Sequence, residues 1–116
     1  METANKDNQN KFEQLNHVML RGAVGRVKVT NVGTSKVARI SLATNYSYKN
    51  QEGTTVIETT WHSINAWQNS SFPDLEKIKS GDKLYVEGRI RTQKYTDQEG
   101  HEHTMTEILA RKLELC

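Results

Sequence analysis

The sequence has little of what would place a protein outside the cell or in a membrane. Its single cysteine, Cys116, can form no disulfide within the chain, which suits a reducing compartment. No apolar run approaches the ~18 residues that span a bilayer, and the polar N-terminus lacks the apolar stretch of a signal peptide. Secretion and helical membrane insertion are therefore not expected, and a cytoplasmic location is. Hydrophobic residues make up 34%, below the usual ~45–50% (a figure that also counts glycine), so part of the chain is not expected to pack. An excess of one charge is also missing. Sixteen Lys and Arg against fourteen Asp and Glu leave +2, so binding a polyanion would require the cations to be gathered in one place.

What is present fits one domain. A chain of 116 residues matches the loose prior of roughly 100–200 residues per domain. Residues 1–14, METANKDNQNKFEQ, offer only Met1, Ala4 and Phe12 for packing and are expected to form a disordered arm. Residues 15–116 then carry the folded domain, with no internal repeat and no linker. Val18 to Val32 is rich in strand formers, and Gly22 and Gly25 inside it signal a bulge or bend. Val37 to Tyr48 alternates Ala38, Ile40 and Leu42 with Arg39 and Ser41. Lys49 to Gly53 forms a hairpin loop. Thr54 to Trp67 is dense in Thr, Val, Ile and Trp. The spacing then predicts a short helix over 72–81: Pro73 at its first position, acids early, lysines late, Gly81 at its end, and Leu75 and Ile78 on one buried face. Lys83 to Gln93 and Thr104 to Leu115 complete five strands.

This order predicts an all-β, five-stranded Greek-key barrel of the oligonucleotide/oligosaccharide-binding (OB) type, with a short helix between strands 3 and 4. An SH3-like barrel is the competitor, and it would not need a helical turn there. The barrel is expected to be partly open, with strand edges free to pair with other copies.

Alternation sorts the side chains. In the third strand Trp61, Ser63, Asn65 and Trp67 face outward, and His62, Ile64 and Ala66 face inward. The two tryptophans lie about 20 Å apart along the strand at ~3.3 Å per residue. In the fourth strand Leu84, Val86, Gly88 and Ile90 face inward, while Tyr85, Arg89, Arg91 and Gln93 face outward, in a period that reaches Tyr95. Arg89 to Tyr95 holds three cations and no acid. Tyr46-Ser47-Tyr48-Lys49 is a second aromatic–cation cluster at a hairpin. Four aromatics not claimed by the core, Tyr48, Trp61, Trp67 and Tyr95, thus lie beside positive charge. An unpaired nucleobase offers a flat π-face, and stacking on it contributes ~1–3 kcal/mol without choosing the base. Each phosphate offers a negative charge that Lys and Arg can hold. Duplex DNA keeps its base faces covered, so the pattern favours single strands.

The motifs Leu15-Asn16-His17-Val18-Met19-Leu20-Arg21-Gly22, Ile40-Ser41-Leu42-Ala43-Thr44, Glu58-Thr59-Thr60-Trp61-His62 and Tyr85-Val86-Glu87-Gly88-Arg89-Ile90-Arg91-Thr92-Gln93-Lys94-Tyr95-Thr96-Asp97 resemble the bacterial single-stranded DNA-binding protein family, over residues 15–113. The resemblance implies an OB-fold binder, not an enzyme, that protects single-stranded DNA with little sequence preference in replication, recombination and repair. It also implies a homotetramer built as a dimer of dimers, and a cytoplasmic, nucleoid-associated location. The family's stacking aromatics fall on Tyr48, Trp61, Trp67 and Tyr95. Its basic positions fall on Arg91 and Lys94, with Lys49 where a cation is common. His62 falls at the subunit interface and Tyr85 on the face that packs dimers together. Two of the aromatics are Tyr where the best-known members carry Trp, Trp67 replaces a Phe, and the first hairpin is shorter than common. Members usually continue into an acidic tip that recruits repair enzymes. This sequence ends Leu113-Glu114-Leu115-Cys116, which argues against recruitment by such a tip.

Two rivals remain from the residues. One is an enzyme or metal site at His101-Glu102-His103, with Glu99 and Asp97 nearby. Alternation puts both histidines on one side with no third ligand in view, so a polar turn is the simpler reading, and no cofactor or metal is expected. Cys116 lacks the basic neighbours of a nucleophile. The other rival is a primosome-type or other OB barrel acting mainly as a protein–protein interaction module, its aromatics forming the interface.

Overall fold

Strands β1 (Val18–Val32), β2 (Ser35–Lys49), β3 (Thr55–Trp67), β4 (Lys83–Thr96) and β5 (Glu102–Leu115) make up most of a computed structural model that describes residues 14–116. The arm expected over residues 1–14 lies, apart from Gln14, outside the described residues. The strands close a barrel in the order β1-β2-β3-β5-β4, with β4 pairing back onto β1. The barrel is closed, not partly open as expected. β1 is long enough to serve two neighbours in turn: Val18 to Ala23 pair with β4, and Ala23 to Val32 pair with β2. The change of partner occurs beside the register shift between Val24 and Arg26. Gly25 is the extra residue there, at the bend that the glycines predict.

The core follows the alternation. Ile40, Leu42, Ile64, Ala66, Leu84, Val86 and Leu113 fill the barrel. One outward-facing residue is covered, and one inward assignment fails. Asn65, between Arg39 of β2 and Leu109 of β5, is only 7% exposed. Ile90 is 47% exposed. It lies past Gly88, the last residue of β4 that pairs with β1, so no strand of the barrel flanks it on that side.

The predicted helix is a single 3-10 turn, Leu75–Lys77. Lys77 and Ile78 donate to the carbonyls of Asp74 and Leu75, three residues back. The Lys79 amide, which a second turn would use, donates instead to the Asp82 side chain at 2.9 Å, and the start of the turn is held by the Gln68 side chain. Its Oε1 accepts from the Leu75 amide at 2.9 Å, and its Nε2 donates to the Pro73 carbonyl at 3.1 Å. Ile78 is already extended. Leu75 and Ile78 are nonetheless both buried, as their spacing requires, and they join Phe72 in the core cluster.

Two ribbons project from the barrel. β2 and β3 stay paired from Val37 opposite Trp67 out to Lys49 opposite Thr55, but β1 accompanies β2 only as far as Ala43. β4 and β5 likewise stay paired out to Thr96 opposite Glu102, past the last contact with β1. β3 and β5 run parallel and touch at a two-residue seam, Ile64 with Ile108 and Asn65 with Leu109. Because the two strands are parallel, both hairpins leave the barrel on the same side.

The two hairpin loops are copies of each other, a local repeat that the sequence reading missed. Tyr48-Lys49-Asn50-Gln51-Glu52-Gly53 matches Tyr95-Thr96-Asp97-Gln98-Glu99-Gly100. In each, the Asn or Asp side chain accepts from the amides two and four residues on, at 2.8–3.0 Å. Each turn ends on a glycine at positive φ, 81° for Gly53 and 87° for Gly100, a conformation that side-chain-bearing residues resist.

Candidate nucleic-acid interface

The outer face of β1, β2 and β3 is built from lateral rows set by strand register. Trp61 lies beside Ala43 and Ala23, and Ser63 beside Ser41 and Arg26. Asn65 lies beside Arg39 and Lys28, and Trp67 beside Val37 and Thr30. Two tryptophans therefore bracket a surface that holds Arg26, Lys28 and Arg39 and, among the described residues, no acid. All three cations are exposed. Among the described residues none of them is ion-paired. They are the residues that sequence reasoning missed. Their alternation along each strand was visible, but their convergence depends on which strands are neighbours.

Trp61 is 60% and Trp67 43% exposed, so the core claims neither ring. Small neighbours let the Trp61 indole reach across β2. A Cβ placed on Gly25 would lie 2.4 Å from the ring, so glycine on β1 is what lets the ring reach that far. Hollows border it on two sides. One of about 260 Å³ is lined by Gly25, Arg26, Ser41 and Trp61. The other, about 300 Å³, lies above the β3–β5 seam and is lined by residues including Trp61, His62, Ile90 and Glu107. A flat ring with open space beside it and fixed cations within a strand's width can stack on one planar group while the cations hold anions.

Compared with models of protein families, the chain matches the single-strand binding protein family over residues 15–116. The chain belongs to this family. It is 41% identical over 106 residues to the single-stranded DNA-binding protein of Bacteroides thetaiotaomicron, covering 87% of this chain and 65% of that one. It is 34% identical over 104 residues to that of Xylella fastidiosa, covering 87% of this chain and 63% of that one. The chain thus spans about three-fifths of the length of curated relatives it matches. Among solved structures it is similar to a Plasmodium falciparum SSB in complex with single-stranded DNA (TM-score 0.71, 29% identity, 88% of this chain and 93% of that one). The fold also matches a deletion mutant of the Thermus aquaticus single-stranded DNA-binding protein (TM-score 0.70, 17% identity, 88% of this chain and 50% of that one).

Tyr48, Trp61, Trp67 and Tyr95 are all exposed, but they do not share one face. Cross-strand pairing puts Lys49 on the Trp61 face of the β2–β3 ribbon and Tyr48 on the opposite one. Tyr46 joins Tyr48 there, the rings stacked at 6.1 Å. On the second ribbon Tyr95 stacks on its cross-strand partner His103 at 5.1 Å, and Lys94 points to the other side. Lys94 and Lys49 are exposed.

Arg91 is different. Its guanidinium grips Glu107 directly across the ribbon, at 2.6 Å from Nη2 and 3.2 Å from Nε. Glu107 is 3% exposed. The first task of Arg91 is therefore to neutralise a buried carboxylate beneath the Trp61 hollow. His62, half-buried, bonds to the Thr44 hydroxyl at 2.8 Å. Tyr85 donates to Glu87 and lies under Arg21, 5.5 Å from its ring centre. The Tyr85 hydrogen bond holds the Glu87 carboxyl below its ordinary value and pushes the Tyr85 hydroxyl up. The His103 hydrogen bond, then the His101 amide, hold Asp97 below its ordinary value.

Proposed function

We propose that this domain binds single-stranded DNA with little sequence preference, laying the strand across the outer face of β1–β2–β3 between Trp61 and Trp67 and out along the two ribbons. The observation that carries this reading is the group of Arg26, Lys28 and Arg39, without an ion-pair partner among the described residues, lying between two exposed tryptophans. Bases stack on the indoles and on Tyr48 and Tyr95. Phosphates meet the cations of the face and Lys49 and Lys94, and Arg91 keeps Glu107 from repelling them. Such contacts read no base edges, so they are indifferent to sequence. The similar Plasmodium protein, solved with single-stranded DNA, supports the same use of the fold. This is a binding role without catalysis, fitted to the exposed strands of replication, recombination and repair.

The family likeness supports a homotetramer, a dimer of dimers with His62 and Tyr85 at its interfaces. The Val18–Gly22 stretch of β1 has β4 on one side only, which leaves an edge for a second copy. Among the described residues no helix is long and apolar enough to cross a membrane, and a cytoplasmic place at the nucleoid suits the proposed ligand.

Titrating oligo-dT of increasing length against tryptophan emission tests the reading. Quenching that saturates, and weakens as salt rises, is expected. Unchanged emission at low salt and every length would overturn it in favour of a protein-binding barrel.

A further inference from the structure

The tip of the β4–β5 ribbon gathers donor atoms that stacking and phosphate binding leave unused. The Asp97, Glu99 and His101 side chains each bring one ligand atom, all within 4.8 Å of one another. His101 Nδ1 lies 3.6 Å from Glu99 Oε1 and 3.8 Å from Asp97 Oδ2. Around a tetrahedral ion with bonds of ~2.0–2.1 Å, neighbouring donors sit about 3.3–3.4 Å apart. The two edges to His101 need to contract by only a few tenths of an ångström, and the third lies within 4.8 Å. From the other side His103 Nε2 lies 2.7 Å from Asp97 Oδ2, in the position of an outer partner that orients a ligating carboxylate. The third ligand missing from the His-Glu-His reading of the sequence is supplied by the turn, which folds Asp97 and Glu99 back over His101.

The comparison with the twin loop separates this arrangement from the needs of the turn. The β2–β3 loop makes the same turn with Asn50 and Thr54 where this one has Asp97 and His101. An anionic side chain and an imidazole are therefore not needed to fold it, yet this loop carries both, with a second imidazole behind.

We propose that Asp97, Glu99 and His101 form a binding site for a borderline divalent transition-metal ion of the zinc class, completed by water and supported by His103. Two carboxylates and one imidazole are hard-to-borderline donors, which take such ions in preference to soft monovalent ones. A bound ion would cancel two negative charges one cross-strand pair away from Tyr95.

The test is calorimetry of the full chain with zinc chloride, repeated with cobalt chloride to read the coordination from the visible spectrum. Saturable binding of one ion per chain is expected. His101→Ala, which removes an exposed side chain, should weaken it at least about tenfold, and His103→Ala, as the positioning residue, also by about tenfold or more. Cys116→Ser and His17→Ala, which remove other accessible donors, should leave it unchanged; oligo-dT binding without metal should survive in these two and in His101→Ala, and an unchanged melting temperature should show that His103→Ala folds. Absence of saturable binding, or binding that persists in His101→Ala or disappears in Cys116→Ser, would overturn the proposal. None of these metal results bears on whether the domain binds DNA, which the metal-free quenching reads separately.

Discussion

At the scale of single residues, Gly25 matters through the ring it admits. Trp61→Ala should weaken single-strand binding by ~1–3 kcal/mol. Gly25→Ala leaves the indole in place chemically but pushes its outer edge off β1. We expect weaker binding, by no more than Trp61→Ala, together with shifted tryptophan emission and an unchanged melting temperature. Affinity equal to the parent's would show that the ring's position does not matter. Arg91 calls for a different experiment, because its partner is buried. Arg91→Ala should cost ~3–5 kcal/mol of folding stability, since it strands the Glu107 charge. The double variant Arg91→Met with Glu107→Met should recover most of that in urea denaturation. If DNA affinity recovers with it, Arg91 acts by neutralising Glu107. An affinity that stays low would make Arg91 a direct phosphate contact.

At the scale of elements, the ribbons are the exposed parts of the fold. Past Ala43 and Ile90 each is a two-stranded sheet with no third strand, an arrangement only marginally stable alone. Their tips are held by the shared Asn/Asp turn and its positive-φ glycine. Lys94, on the second ribbon, should contact backbone rather than bases. Lys94→Ala should lower affinity equally for all sequences and flatten the salt slope by about 0.7, the single-strand value for one phosphate. Equilibrium titrations with oligo-dT and a mixed sequence at several salt concentrations check this. A loss confined to one sequence would contradict a backbone role. The 3-10 turn makes a related point about propensity. The run from Pro73 to Gly81 carries the local marks of a helix, yet Ile78 is already extended and the Asp82 side chain takes the Lys79 amide that a second turn would have used.

Considered as a whole, the closed barrel draws stability from a core and from polar pairs on its outside, and the latter depend on pH. Tyr85 donates to Glu87, whose carboxyl therefore titrates below its ordinary 4.5. A lowered carboxyl pKa stabilises the fold fully above pH 4.5, and that stabilisation is lost as pH falls through the depressed value. Tyr85→Phe removes the donor. The melting-temperature gap between parent and variant should be widest above pH 4.5 and close in acid. A gap that stays constant through acid would show that the hydrogen bond does not shift Glu87. Since Tyr85 is proposed to lie at a subunit interface, the melts belong alongside a solution mass measurement, so that a change of assembly is recognised.

Much of the molecule was legible in its residues. Val18–Val32 appears as expected, the alternation of Ile40, Leu42, Leu84 and Val86 names the core, and four aromatics stand outside it. These follow from period-two alternation, which is local and needs no knowledge of neighbours. Which side chains lie next to one another across strands is decided by register and closure. Only tertiary structure could set Arg26, Lys28 and Arg39 between Trp61 and Trp67, lock Arg91 onto Glu107, bury Asn65, or fold Asp97 and Glu99 over His101. Each of these depends on contacts between segments that the alternation along any one strand cannot register.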